Sequence, residues 1–219
     1  MQRSKTANQI LKAAEALFSE QGFPETTMRQ ITAAADVNLA AVNYHFGSKQ
    51  GLIEAVSEKY LSPFCDYIEN AVVERLGGSS DKTVTSNELM EMVMRALLEV
   101  RQGNAHALSM FMRLLDLSYM KSQTVLREYM FHQYHEKLER FLTLLRDDVS
   151  PMEDDEFFWR LHFLMGSMVF TLSNFQTLAS IEKNEFDKEV EIENVLHRMI
   201  PVLTAGLQAR SDKTYFCRL

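Results

Sequence analysis

The sequence predicts an all-α fold, and three observations carry that expectation. Apolar residues recur at i, i+3, i+4 and i+7 along most of the chain, the stripe of amphipathic helices. No stretch alternates with period two for long enough to make a strand. Only 8 Gly and 4 Pro interrupt 219 residues, so long helices are allowed.

The elements follow in order. Ser4 can cap a first helix over about 4–21, with Ile10, Ala14, Leu17 and Phe18 on its inner face and Gly22 as a left-handed stop. Thr27 followed by Gln30 is a capping-box pattern. It opens a short helix over about 28–35 that turns Met28, Ile31 and Ala35 inward. Asp36-Val37 makes a tight turn, because Asp tolerates the left-handed conformation. Asn38 caps a third helix over about 39–45. Ser48 caps a fourth that runs well past Lys59, kinked rather than ended by Pro63. Gly77-Gly78-Ser79-Ser80-Asp81 is the clearest loop. Helical spacing resumes over about 87–101, 105–120, 122–147, 154–178 and 187–209, with breaks at Gly103-Asn104, Pro151 and Asn184.

Charge is uneven. The net charge is −7, from 23 basic and 30 acidic residues. Residues 1–60 hold equal numbers of both signs, so the whole excess lies beyond them. A surface that meets an anion is therefore expected at the N-terminal end. Cys65 and Cys217 form no metal-type spacing, and the first residues lack the apolar core of a signal peptide. A reduced, cytoplasmic setting is the expectation. Residues 161–181 hold no Asp, Glu, Lys or Arg, yet carry eight polar side chains. That argues for a helix buried in a large core or a subunit interface, and against a membrane span.

Two short helices joined by a tight turn, with a third helix against them, make helix-turn-helix architecture, whose second helix enters the DNA major groove. Here that helix is Leu39-Ala40-Ala41-Val42-Asn43-Tyr44-His45. Val42 and Phe46 can face a small core with Ile31 and Ala35. Leu39, Ala40 and Ala41 allow close approach and contact with a thymine methyl, and Asn43 can pair with an adenine edge. Tyr44, His45 and Lys49 suit phosphate contacts, with Thr27 and Arg29 on the other flank and Asn38 at the helix start.

The stretches Thr26-Thr27-Met28-Arg29-Gln30-Ile31, Val37-Asn38 and Tyr44-His45-Phe46-Gly47-Ser48-Lys49-Gln50-Gly51-Leu52 resemble the TetR family of bacterial transcriptional repressors. Within it, residues 37–49 and Pro63-Phe64-Cys65 resemble PsrA-type regulators, which respond to long-chain fatty acids and control fatty-acid metabolism genes. Asp36 stands where the family usually has a turn glycine, Ala41 where a hydroxyl is common, and Asn43 where an aromatic is common. The base contacts of a generic member therefore do not transfer.

The resemblance implies a helix-turn-helix DNA-binding domain over 1–50, a helical ligand-binding and dimerisation domain over 51–210, and a tail over 211–219. It implies a homodimer on a pseudo-palindromic operator of double-stranded DNA, released by a small hydrophobic inducer. A long-chain fatty acid or acyl-CoA is expected, with a different hydrophobic inducer, or a helical bundle without DNA binding, as alternatives. Phe64, Leu98, Arg101, His106, Phe111, Arg113 and Phe170 are the expected ligand-binding residues, and Arg127 and Arg160 are further choices for the ligand's head group. Phe163, Gly166, Ser167, Phe170, Leu196 and Ile200 are the expected dimer contacts. His132 and His135 fall on one helix face without a third ligand, so a solvated or interface face is favoured over a metal. No nucleotide loop, nucleophile elbow or cysteine cluster points to catalysis, and no catalytic residue, cofactor or metal is expected.

Overall fold

The computed structural model describes residues 4–78, 83–101, 107–149 and 151–209. Among these, ten α-helices and one 3-10 turn appear and no strand. The helices are α1 (Lys5–Gln21), α2 (Met28–Ala34), α3 (Leu39–Phe46), α4 (Lys49–Gly78), α5 (Ser86–Arg101), α6 (Ala107–Ser118), α7 (Thr124–Asp148), α8 (Asp154–Ser173), α9 (Phe175–Phe186) and α10 (Ile192–Gln208). Packing groups the chain into two units, residues 1–64 with 100–135, and residues 65–99 with 136–219.

In the first unit the caps are local. Ser4 Oγ accepts from Ala7 N at 3.1 Å and starts α1. Gly22 ends it with φ 88° and ψ 162°, an extended mirror-image conformation rather than the left-handed helical one the sequence suggests, and one open only to glycine. Asp36 takes the expected positive φ, 51°. Ile10, Ala14 and Phe18 of α1, Ile31 and Ala35 of α2, Val42 of α3 and Leu52, Ile53 and Val56 of α4 are all buried. Leu17, Met28 and Phe46 are half-buried at its edge. Pro63 lies inside α4 and does not end it. α6 packs on α1 and is buried on nearly every side.

Glu15 holds α1 to α4. It falls four residues after Leu11 and three before Phe18, inside the apolar stripe, and is itself buried. Both its oxygens accept from Lys59 Nζ at 2.7 Å. Burial, and then the Glu15 charge, push the neighbouring Tyr60 phenol well above its ordinary pKa. Burial likewise pushes the Cys65 thiol up to about 12, so it is an inert core group.

In the second unit, Asp148 of α7 closes the start of α5. Its Oδ2 accepts from Ser86 N at 2.5 Å and Ser86 Oγ at 2.6 Å, and from Gln208 Nε2 of α10 at 3.2 Å. The expected single helix over 154–178 is two helices. Asn174 breaks it, because its side-chain amide donates to the Phe170 carbonyl at 2.8 Å, the same oxygen its own backbone N–H reaches. The expected stop at Asn184 lies inside α9, which ends instead at Asp187 in the left-handed conformation. Gly77 and Gly78 are the last turn of α4 rather than a loop, and 79–82 lie outside the described residues. The large core expected around 161–181 is not present in this unit: of α8, only Arg160, Leu164 and Leu172 are buried.

Candidate nucleic-acid interface

The turn between α1 and α2 is stitched by side chains. Thr26 Oγ1 donates to the Gly22 carbonyl at 2.6 Å. Thr27 N donates to Gln30 Oε1 at 2.7 Å while Gln30 N donates to Thr27 Oγ1 at 3.2 Å, so the capping box closes. Asn38 Oδ1 accepts from Ala41 N at 2.9 Å and opens α3. Ser48 Oγ accepts from Gly51 N at 3.0 Å and opens α4. A Cβ at Gly51 would lie 2.1 Å from the Phe46 carbonyl oxygen, so only glycine lets α4 start this close to the end of α3. One first-turn donor of each of these helices thus finds a side-chain acceptor three residues away.

Val42 points into the core, fully buried. The opposite side of α3 presents Leu39, Ala40, Asn43 and Tyr44 to solvent, with Ala41 and His45 half-buried beside them. Tyr44 is 85% exposed and meets His45 edge-on, ring centroids 5.0 Å apart. A tyrosine this exposed offers both ring and hydroxyl to a partner.

The expected phosphate contacts sit differently from one another. Arg29 is exposed. The Thr27 hydroxyl and the Asn38 carbonyl oxygen are already used in caps. Lys49 folds back on the α1–α2 turn, with Nζ 4.3 Å from the Phe23 ring centroid and 3.4 Å from the Pro24 carbonyl. Burial there lowers the Lys49 pKa below its ordinary value, and the Glu25 charge opposes the shift.

Two profiles of known families match. "Bacterial regulatory proteins, tetR family" matches residues 10–56, and "Tetracyclin repressor-like, C-terminal domain" matches residues 91–206. The chain belongs to the TetR family. It is 27% identical over 214 residues to the HTH-type transcriptional dual regulator CecR of Shigella flexneri, covering 93% of each chain. It is 35% identical over 66 residues to the probable HTH-type transcriptional regulator YttP of Bacillus subtilis, a match spanning 30% of this chain and 32% of that one. Among solved structures, a TetR-like regulator from Rhodococcus sp. RHA1 shares the fold at TM-score 0.59 and 18% identity, covering 96% of this chain and all of that one. The fatty acid degradation regulator FadR from Bacillus halodurans does so at 0.58 and 17%, covering 96% of this chain and all of that one. The chain is a TetR-type DNA-binding transcriptional regulator, and α2 and α3 are its helix-turn-helix.

The residues expected in the larger domain fall into several settings. In the first unit, Phe64 and Phe111 are in contact, ring centroids 5.1 Å apart, and Phe111 is buried. Arg101 is half-buried and Arg113 is exposed. Leu98, in the second unit, is half-buried. His106 lies outside the described residues. Arg127 donates to the Ser118 carbonyl at 2.8 Å and caps α6. Arg160 is buried and spans from Glu156, at 2.8 Å, to the Leu207 and Ala209 carbonyls at the end of α10. It neutralises a helix C-terminus.

Of the expected dimer contacts, Phe163 is 67% and Phe170 63% exposed, and Gly166 and Ser167 are exposed between them. Leu196 is buried inside its own unit, and Ile200 is half-buried. Sequence reasoning missed Phe158 and Trp159 as surface residues; both are exposed on α8. For Trp159 the signal was present, since Trp159, Phe163 and Phe170 recur at i, i+4 and i+11 on one helix face. His135 stacks on Phe131 at 4.5 Å on the exposed side of α7. Among the described residues no three His, Cys, Asp or Glu are grouped to hold a metal, and no helix is long and apolar enough to cross a membrane.

Proposed function

We propose that this regulator is a homodimeric repressor whose α3 reads a pseudo-palindromic operator and which a long-chain fatty acid or acyl-CoA releases. The observation that carries the DNA half is the outer face of α3. Leu39, Ala40, Asn43 and Tyr44 are exposed on a helix whose other side is sealed by Val42 and whose ends are fixed by Asn38 and Gly51. Asn43 discriminates bases; Tyr44, Arg29 and Lys49 position the helix on phosphates, with Lys49 swinging off Phe23 to do so. Dimerisation uses the aromatic face of α8, Phe163 and Phe170 with Gly166 and Ser167. A two-fold dimer places two α3 helices one DNA turn apart, about 34–36 Å.

Support for the fatty-acid half is the likeness of residues 37–49 to PsrA-type regulators and a fold shared with a protein named for fatty acid degradation. The acyl chain would pack against Phe64 and Phe111, an apolar pair suited to it. The ligand acts by binding the DNA-incompetent arrangement better than the competent one.

One gel-shift titration tests both halves. The probe is the DNA upstream of the protein's own gene, with random competitor, with and without oleate or oleoyl-CoA. A specific shift that either ligand releases is expected. A specific shift indifferent to both would remove the fatty-acid assignment and leave the repressor.

A further inference from the structure

A cleft of about 320 Å³ lies within the first unit, between the end of α1 and α6. Its volume is near the lower end of small-molecule sites, ~300–1,000 Å³. Phe18, Ile53, Leu114 and Leu117 give it an apolar floor, and the 22–25 turn forms one wall. We propose that this cleft is an effector site for an uncharged aromatic compound of one or two rings. It does not rest on the fatty-acid reading and uses neither Phe64 nor Phe111.

Charge and shape both select that class. The lining carries two carboxylates, Glu25 and Asp116, against one guanidinium, Arg113. With the Lys49 charge acting on Glu25 from the adjoining turn, the signs around the cleft balance, so an anion or a cation gives up its water there without gaining a net partner. A neutral ring escapes that cost. Phe18 and Phe23 stand edge-to-face, centroids 5.2 Å apart, and offer a ring-shaped neighbour for another aromatic. Met110 and Met120 bring polarizable sulfur to the same lining, which favours contact with aromatic edges.

The site also has a route to the DNA-reading helix. The Phe23 ring that lines the cleft is the ring on which Lys49 rests, and Lys49 follows the end of α3 by three residues. A compound that shifts Phe23 or Pro24 shifts the seat of Lys49, and with it the junction of α3 and α4.

The test titrates 2-naphthol into the full-length protein and follows its fluorescence, with 2-naphthoate as an anion of the same ring size. Saturable binding of 2-naphthol is expected, with 2-naphthoate weaker by about tenfold or more. Saturation with 2-naphthol should slow amide exchange in residues 18–25 and 110–120. Leu114→Trp fills the cleft and removes binding. Met120→Glu changes an exposed residue at the rim, leaves the core intact and weakens binding by about tenfold. The absence of saturable binding, equal binding of the two probes, binding that survives both variants, or protection confined to other segments would each overturn the proposal.

Discussion

The outer faces of α3 and α8 are both open to water, but they are made of different side chains. α3 shows small and polar groups with one tyrosine. α8 shows Phe158, Trp159, Phe163 and Phe170, large apolar surface on a helix that buries only three residues in its own unit. A face of the first kind stays hydrated and can trade water for base edges and phosphates. A face of the second kind costs free energy until another apolar surface covers it, and large exposed apolar patches mark interaction sites. The difference teaches that exposure alone does not name a partner; the chemistry of what is exposed does. On that ground the proposal gives the α3 face to DNA and the α8 face to a second copy of the chain.

The comparison breaks most visibly on α8. Phe163→Asp changes an exposed residue, so the fold should survive while the dimer does not. Sedimentation should report a monomer. Operator affinity should fall by about 10²–10⁴-fold, the gain that linking two half-site contacts provides. A dimeric variant with full affinity would assign the aromatic face to something else.

On the α3 side, the core behind the reading face comes next. Ile31→Ala should cost about 2–5 kcal/mol in denaturant unfolding, because Ile31 is fully buried where α2 meets α3. Tyr44→Ala leaves that core untouched. It should weaken binding to all sequences alike and flatten the dependence of log affinity on log salt by about one unit. Asn43→Ala should instead relax base preference at one position of each half-site. If Tyr44→Ala bound like the parent at every salt concentration, α3 would not lie against the phosphates.

The smallest effect is a control in the second unit. Glu88 Oε2 accepts from Thr85 N at 2.9 Å, and Oε1 accepts from Arg75 Nε at 3.0 Å. The backbone bond from Thr85, then Arg75, hold this carboxyl below its usual pKa. A depressed carboxylate stabilises the fold above its unfolded value, about 4.3, and that stability is lost as pH falls through the lower folded value. Glu88→Gln should therefore cost under about 1 kcal/mol at pH 7, since the pair is partly exposed. The difference from the parent should fade in urea unfolding below about pH 4. A difference that grew on acidification would contradict the assignment.

What the sequence made readable follows from distance along the chain. The first three helices and the start of the fourth are set by bonds that reach three residues: Ser4 to Ala7, Thr27 with Gln30, Asn38 to Ala41, Ser48 to Gly51. Such bonds leave a pattern in a short window, so the helix bounds and the exposed face of α3 could be drawn from residue types alone. Arg160 could not be placed that way. Its carbonyl partners are 46 to 49 residues away, and an arginine in a helix reads equally well as a ligand anchor. Glu15 and Lys59, 44 residues apart, are the same case, although a charge inside an apolar stripe was a visible sign of a buried partner. The break at Asn174 was hidden for another reason. An asparagine bonding back to its own helix differs from one in a continuous helix by a torsion, not by its neighbours in sequence.

The central claim, that α3 reads DNA as one half of a two-fold dimer, is tested most directly by selecting bound fragments from a random-sequence DNA pool with the full-length protein. The account predicts enrichment of a pseudo-palindrome whose half-sites are centred about one helical turn apart, with one adenine position in each half-site that Asn43→Ala no longer enforces. Enrichment of a single unpaired half-site, or of no sequence at all, would contradict it.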